Sequence, residues 1–263
     1  MKSPRSAAEP LVIPQDTPLR IAIFSDVHAN IDALATSLAL MRDQKVDTYA
    51  CLGDVVGYGG DPDACCTLVR EIAEWTVIGN HDAAVAQRME YEYYYSSARD
   101  ALNLHREMLS EENLTWLQSL PMIVWTPEFA FCHGRPDKPE AFEYMFNDGH
   151  AQALMDVYSE LAPVTFIGHS HLTRAYRLEA PDQIRDVSGR QIHLDANAKY
   201  VITVGSIGQP RDHDPRACFV VYDTETRTVD FFRTPYDVRA AALRIWTNDR
   251  LSPEFAKRLY LGV

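Results

Sequence analysis

Five short segments, each closing a run of apolar residues, constrain this chain most. They are Ser25-Asp26-Val27-His28, Leu52-Gly53-Asp54, Gly79-Asn80-His81-Asp82, Cys132-His133-Gly134 and Gly168-His169-Ser170-His171. The runs that lead into them, LRIAIF, TYACL, WTVIG, FAFCH and VTFIG, are short, apolar and bounded by turn residues, so they read as buried strands. In an open α/β sheet the carboxyl ends of parallel strands line one crevice, where ligands bind. A single Asp or Asn at such a place is ordinarily a cap or turn residue, and a single His is ordinarily solvated. Five of the nine histidines falling there together, with Asp26, Asp54, Asn80 and Asp82, is a different matter. The five segments would deliver their polar groups to one spot.

The intervening segments supply the helices. Asn30 can cap a helix whose Ile31, Leu34, Ala35, Leu38 and Met41 share one face. Asp61-Pro62 reads as an N-cap followed by proline at the first helical position, with Cys65, Leu68, Val69, Ile72 and Ala73 inward. A β-α-β-α-β start of this kind implies parallel strands joined by right-handed crossovers. Residues 83–120 are expected to be helical, including the tyrosine run Tyr91, Tyr93, Tyr94 and Tyr95. Residues 139–161 are expected to be mostly helical too. TRAYRLE and RQIHLD look like a hairpin around Asp186–Gly189, and YVITVG, ACFVVYD and TVDFFRT follow as strands before a helical close over Asp237–Leu261. A βα-rich first half and a β-rich second half predict two sheets in one domain over 19–263. The proline-punctuated stretch 1–18 reads as an extended N-terminal arm.

The polar set suits metal chemistry. Asp26 and His28 are spaced i, i+2, as are His169 and His171, so in extended segments each pair points one way. Asp26, Asp54 and Asn80 offer oxygen, while His28, His133, His169 and His171 offer imidazole. A mixed donor set favours Mn, Fe or Zn over Mg or Ca. Seven donors exceed one tetrahedral site and suit two metals that share a carboxylate. Cys132 adjoins His133 but should face the core, because strand neighbours point to opposite sides.

The motifs D-x-H, G-D, G-N-H-D, H-G and G-H-x-H, in this order over 19–171, resemble the calcineurin-like metallophosphoesterase superfamily. Gly205-Ser206-Ile207-Gly208-Gln209-Pro210-Arg211-Asp212 and the elements after it extend the resemblance to the small prokaryotic predicted-phosphodiesterase branch. The resemblance implies an α/β fold, a four-layer α/β-β/α sandwich of two mixed sheets with the metals at the C-terminal ends of strands. It also implies a residue set: Asp26, His28 and His171 on one metal, Asn80, His133 and His169 on the other, and Asp54 between them. The cofactors would be two divalent transition-metal ions, with Mn favoured in vitro. A bridging hydroxide would then attack phosphorus in line. Two divalent ions, two aspartates and that hydroxide leave a centre of about +1, which attracts phosphate. His81 is implied as the proton donor to the leaving group, with Asp82 fixing its orientation. Arg211, Arg135 and Tyr58 are candidates for substrate contact, the arginines as bidentate phosphate partners. The tyrosine run could wall the pocket or stack a nucleobase, or simply pack as a helix stripe.

Two features narrow the substrate. Val56-Gly57-Tyr58-Gly59 and the final Asp82 depart from the V-D-R-G and G-N-H-E of phosphoprotein phosphatases, so the phosphate-gripping arginine of that branch is missing. Phosphodiesters, including small nucleotides, are expected ahead of phosphomonoesters, dinucleoside polyphosphates or a non-catalytic scaffold. A net charge of −12 argues against a stable nucleic-acid complex, whose affinity comes from Lys and Arg on phosphates. No stretch approaches the roughly 18 apolar residues of a membrane span. Five cysteines without a CxxC pair, and no apolar leader, point to the cytoplasm.

Overall fold

The computed structural model describes residues 18–263; residues 1–17, and with them nearly all of the arm expected over 1–18, lie outside the described residues. Strand β1 (Arg20–Phe24) runs parallel to β2 (Thr48–Cys51), and β2 runs parallel to β3 (Trp75–Thr76). Helices α1 (Ile31–Asp43) and α2 (Pro62–Ile72) form the crossovers, as their apolar spacing predicts. Asn30 caps α1 by accepting the Ala33 N–H at 3.1 Å. Asp61 precedes α2 but makes no capping bond; its carboxylate pairs with Arg244 at 3.2 Å instead.

Three helices follow: α3 (Asn80–Val85), α4 (Ser96–Met108) and α5 (Glu111–Ser119). The tyrosine run falls in the loop before α4, so it is no helix stripe. Strands β4 (Ile123–Trp125), β5 (Phe129–Cys132) and β6 (Val164–Ile167) begin a second sheet. Between β5 and β6 the chain forms only α6 (Asp148–Gln152) and 3₁₀ turns, less helix than expected. Pro139 opens the first of these turns, and Phe142 ends it in the left-handed region, at φ 49°.

The remaining strands are β7 (Thr173–Glu179), β8 (Gln183–Asp186), β9 (Gln191–His193), β10 (Lys199–Val204), β11 (Ala217–Asp223) and β12 (Thr228–Thr234). Helices α7 (Val238–Trp246) and α8 (Pro253–Leu261) close the chain. The first sheet has the order β3-β2-β1-β11-β12-β9 and the second β4-β5-β6-β10-β7-β8. The hairpin partner of β7 is therefore β8, and RQIHLD crosses to the other sheet to pair with β12.

Strand alternation builds the layers. Ile21 and Ile23 face Phe131 and Phe166 between the sheets, while Ala22 and Phe24 face Leu34 and Leu38 of α1. On the far side Cys132, Ile167 and Val201 pack under Leu154 and Met145. Both faces of each sheet are thus buried, and the expected four layers are present. The parallel strands β1, β2, β3, β5, β6 and β10 all end at one edge of the sandwich. No helix among the described residues is long and apolar enough to cross a membrane.

Candidate metal centre

All seven residues expected to hold metal, and His81, come together where those parallel strands end. Asp26, His28 and His171 form one buried group whose ligand atoms lie within 4.8 Å of one another, and Asp54, His133 and His169 form a second. Asn80 joins the second through its Oδ1, 3.2 Å from His133 Nε2. Asp54 lies between the two: its Oδ2 is 3.8 Å from His28 Nε2 and 3.3 Å from His133 Nε2. A further buried group, His28, Asp54 and His81, brings His81 against the same carboxylate.

The backbone reaches this arrangement at a cost. Asp26, His28, Asp54, His169 and His171 all have positive φ, between 47° and 64°. Each such non-glycine residue costs about 1–3 kcal/mol and persists only where its surroundings fix it. The i, i+2 pairs are therefore not presented by extended strands, as their spacing suggested, but by tight left-handed turns just past them. Gly79 is required by close approach, since a Cβ there would collide with the Asp54 carboxylate. Gly168 is required in the same way by Ser25 and Asp26.

Hydrogen bonds fix the rings. The Nδ1 of His28, His133 and His171 face the carbonyls of Val56 (3.0 Å), Leu52 (2.6 Å) and Gln209 (2.5 Å). Each ring donates there and turns Nε2 inward, as ligating histidines do. The consequence is a convergence of lone pairs. His28 Nε2 and His171 Nε2 are 3.2 Å apart, His171 Nε2 is 3.2 Å from Asp26 Oδ1, and that buried oxygen has no hydrogen-bond partner. An acceptor-only cluster is repulsive alone and is relieved by cations, so the residues fit a metal centre. Burial holds His28, His169 and His171 below the usual histidine range. Burial also opposes charge on His133, but Asp54 outweighs it and lifts the ring to about 9.

The supporting residues differ from expectation. Asp82 does not touch the His81 ring. It accepts the N–H groups of Val55 (2.9 Å), Val56 (3.1 Å) and Gly79 (3.1 Å), locking the second and third segments together. Burial, followed by the charge of Asp54, raises its carboxyl to about 7. The His81 N–H donates to Asp54 Oδ1 at 2.8 Å, while its buried Nδ1 has no partner. Arg135 is not left free for phosphate either: it pairs with Asp137 at 2.6 Å and with Glu143. Arg211 is part-buried at the centre, bonded weakly to Gln209 Oε1 (3.4 Å) and interacting with the Tyr58 and Tyr144 hydroxyls, with a buried Nε that lacks a partner. Its guanidinium lies 6.0 Å from the Tyr58 ring centre. Tyr58 itself overhangs the centre, with its ring 4.7 Å from that of His28 and 4.6 Å from that of His81.

One member of the tyrosine run, which walls the pocket as the sequence suggested, and two residues without local signal in the sequence support the centre. Tyr94 accepts from Asn80 Nδ2 at 2.6 Å, which aims the Asn80 carbonyl oxygen at His133. Tyr144 stacks on His169 with ring centres 3.8 Å apart and planes 13° apart. His105 of α4 accepts the Gly57 N–H and meets the Gly59 carbonyl, both at 2.9 Å, and so grips the turn that carries Tyr58.

Known proteins share this architecture. A protein of Methanocaldococcus jannaschii is 32% identical over 246 residues, which cover 92% of this chain and 98% of that one. The crystal structure of a metallophosphoesterase from Sphaerobacter thermophilus superposes with a TM-score of 0.80 at 31% identity, covering 94% of this chain and all of that one. A Pyrococcus horikoshii structure shares the fold at a TM-score of 0.72 and 21% identity, over 93% of this chain and 98% of its own. Residues 19–227 match the calcineurin-like phosphoesterase superfamily domain, which embraces every segment of the centre, and the chain belongs to that superfamily.

Proposed function

We propose that the protein is a two-metal phosphodiesterase acting on small phosphate esters. The observation that supports it most is the convergence of Asp, Asn and His side chains at five parallel strand ends, flanked by the Arg211 guanidinium, which has no carboxylate partner. Asp26, His28 and His171 would hold one divalent ion, Asn80, His133 and His169 the other, and Asp54 would serve both. Bound there, the ions would supply charge neutralisation for phosphate oxygens and an acidified water as nucleophile. Manganese fits the mixed carboxylate and imidazole set.

The chain's own groups do the rest. Arg211 binds and orients the phosphate beside the centre, as a charge-assisted donor with no competing carboxylate. His81 holds the proton for the leaving oxygen. Tyr58 covers both His28 and His81 and keeps bulk water from them. Asp82 keeps the His81 segment in register with the Asp54 turn rather than orienting the ring. The buried, unpaired thiols support a reducing, cytoplasmic setting.

The test compares bis-p-nitrophenyl phosphate with p-nitrophenyl phosphate after chelation and reconstitution with Mn²⁺. Faster turnover of the diester, abolished by chelator, is expected. Preference for the monoester would replace the diesterase with a phosphatase. Inertness toward both, with two metals bound per chain, would remove the catalytic reading.

A further inference from the structure

A cavity of about 580 Å³ opens between the two sheets, where the chain crosses from β8 to β9. Its lining includes Arg190 from the crossing segment, Arg216 from the approach to β11, and Phe231, Phe232 and Arg233 from β12, with Thr173 of β7. Its charge is unusual for this chain. Three arginines line it and no carboxylate among the described residues does, in a protein of net charge −12. Two of the guanidiniums are held by carboxylates that stand outside the lining. Arg233 donates to Asp212 at 3.2 Å through Nη1, and again through Nη2. Arg216 donates to Asp214 at 2.9 Å through Nε and at 2.6 Å through Nη2. Arg190 is different: it is exposed, and its side chain makes no hydrogen bond or ion pair among the described residues. Three guanidiniums against two carboxylates leave one positive charge uncompensated at the cavity.

We infer that this cavity is a binding site for a small organic oxyanion, separate from the metal centre. Guanidinium groups match carboxylate and phosphate oxygens through pairs of parallel N–H bonds, and here three such groups share one cavity. Phe231 and Phe232, both half-buried, supply apolar surface for the body that carries the anion. The volume falls in the range of about 300–1,000 Å³ that small ligands occupy. An extended polyanion would meet the negative field of the whole chain, whereas a small one meets mainly the local arginines. No residue of the cavity lining belongs to the centre. The two are divided between neighbours in the chain: Arg211 lies beside the Tyr58 ring at the centre, while Asp212 holds Arg233 at the cavity. Without its cations the centre is rich in acceptors and repels anions, so anion binding by the metal-free protein belongs to the cavity.

The test is calorimetric titration of the full-length, chelator-treated protein with phenyl phosphate, benzoate and the uncharged benzyl alcohol, which needs neither metal nor turnover. At least one of the two anions should bind and benzyl alcohol should not. Tighter binding of phenyl phosphate assigns the site to phosphates, and tighter binding of benzoate assigns it to carboxylates. R190M removes a guanidinium that holds nothing else in the fold, so the variant should fold as the parent does. It should weaken the bound anion about ten- to hundredfold, the worth of a hydrogen bond to a charged group. R42M, which removes an exposed arginine at the far end of α1, should leave the affinity unchanged, as should R211M. Binding of neither anion overturns the site, and so does an affinity that R190M leaves intact. Loss of binding in R211M but not in R190M would place the anion at the metal centre instead and overturn it equally.

Discussion

Arg211, Asp54 and His81 can each be separated by what its loss leaves behind. Arg211 has no carboxylate partner, so its charge is available to a phosphate without a competing bond to break. A hydrogen bond to a charged group is worth about 1.5–3 kcal/mol. R211M should therefore raise KM for bis-p-nitrophenyl phosphate by about ten- to hundredfold, with bound metal unchanged. An unaltered KM would take Arg211 out of substrate binding. Asp54 reaches both ligand groups, so D54N should lower the metal content from two per chain, measured by elemental analysis. Full occupancy would remove it as the shared ligand. H81A should keep both metals yet lose about 10²–10⁴ in kcat, the usual worth of general acid catalysis. The sequence reveals these residues because each sits in a recognisable motif, Asp54 and His81 beside strand ends and Arg211 in the stretch Gly205–Asp212. It does not reveal Tyr144, whose stacking on His169 exists only after the segment between β5 and β6 is folded back, and it marks Tyr94 as a pocket wall without showing its bond to Asn80. Asp82 shows a further limit: its identity was legible, but its partners are backbone N–H groups, which sequence leaves undistinguished.

Among the elements, α4 shows how a helix outside the sheets governs the pocket. Its buried His105 accepts from Gly57 at one ring nitrogen and meets the Gly59 carbonyl at the other, which fixes a neutral ring of one tautomer. Burial lowers its pKa to about 4, against the favourable pull of the Gly59 carbonyl, whereas an unfolded histidine titrates near 6.5. Between those values the unfolded chain takes up a proton that the folded chain refuses. Stability from this group is thus whole above about pH 6.5 and is lost as pH falls toward 4, by up to about 3 kcal/mol. Melting temperature followed over that window should fall more steeply for the parent protein than for H105Q. Parallel slopes would mean that His105 is already charged in the folded state. Elements are legible where periodicity and boundary residues agree, as in β1, α1, β5, β6 and β11. They are less so where pairing is decided at a distance. RQIHLD has the alternation of a hairpin arm and the turn residues to match, yet it joins β12, because nothing in a strand's own sequence names its sheet. The tyrosine run has helical composition on both flanks, and its rings are held instead by the pocket they enclose.

At the level of the whole molecule, the two sheets pack face to face and build the cluster together at one edge of the sandwich. Asp26, His28, Asp54, Asn80 and His81 come from the first sheet's strand ends, and His133, His169 and His171 come from the second's. The inter-sheet core of Ile21, Ile23, Phe131 and Phe166 presses these ends together from below. The lone pairs of His28, His171 and Asp26 push them apart at the edge. Cations at this edge convert that repulsion into a cross-link between the sheets, so metal binding should stabilise the entire sandwich and not just the loops. A ligand at about a thousand times its dissociation constant adds about 4 kcal/mol to the folded state. For a domain of this size each kcal/mol is worth about 2–4 °C. Manganese added to chelator-treated protein should therefore raise the melting temperature by roughly 10 °C in a single cooperative transition, reversed by chelator. D54N should forfeit most of that gain, because its ligand reaches both halves of the cluster. A metal-induced shift of equal size in D54N would mean that each sheet binds its ion independently, and that the shared carboxylate does not couple them.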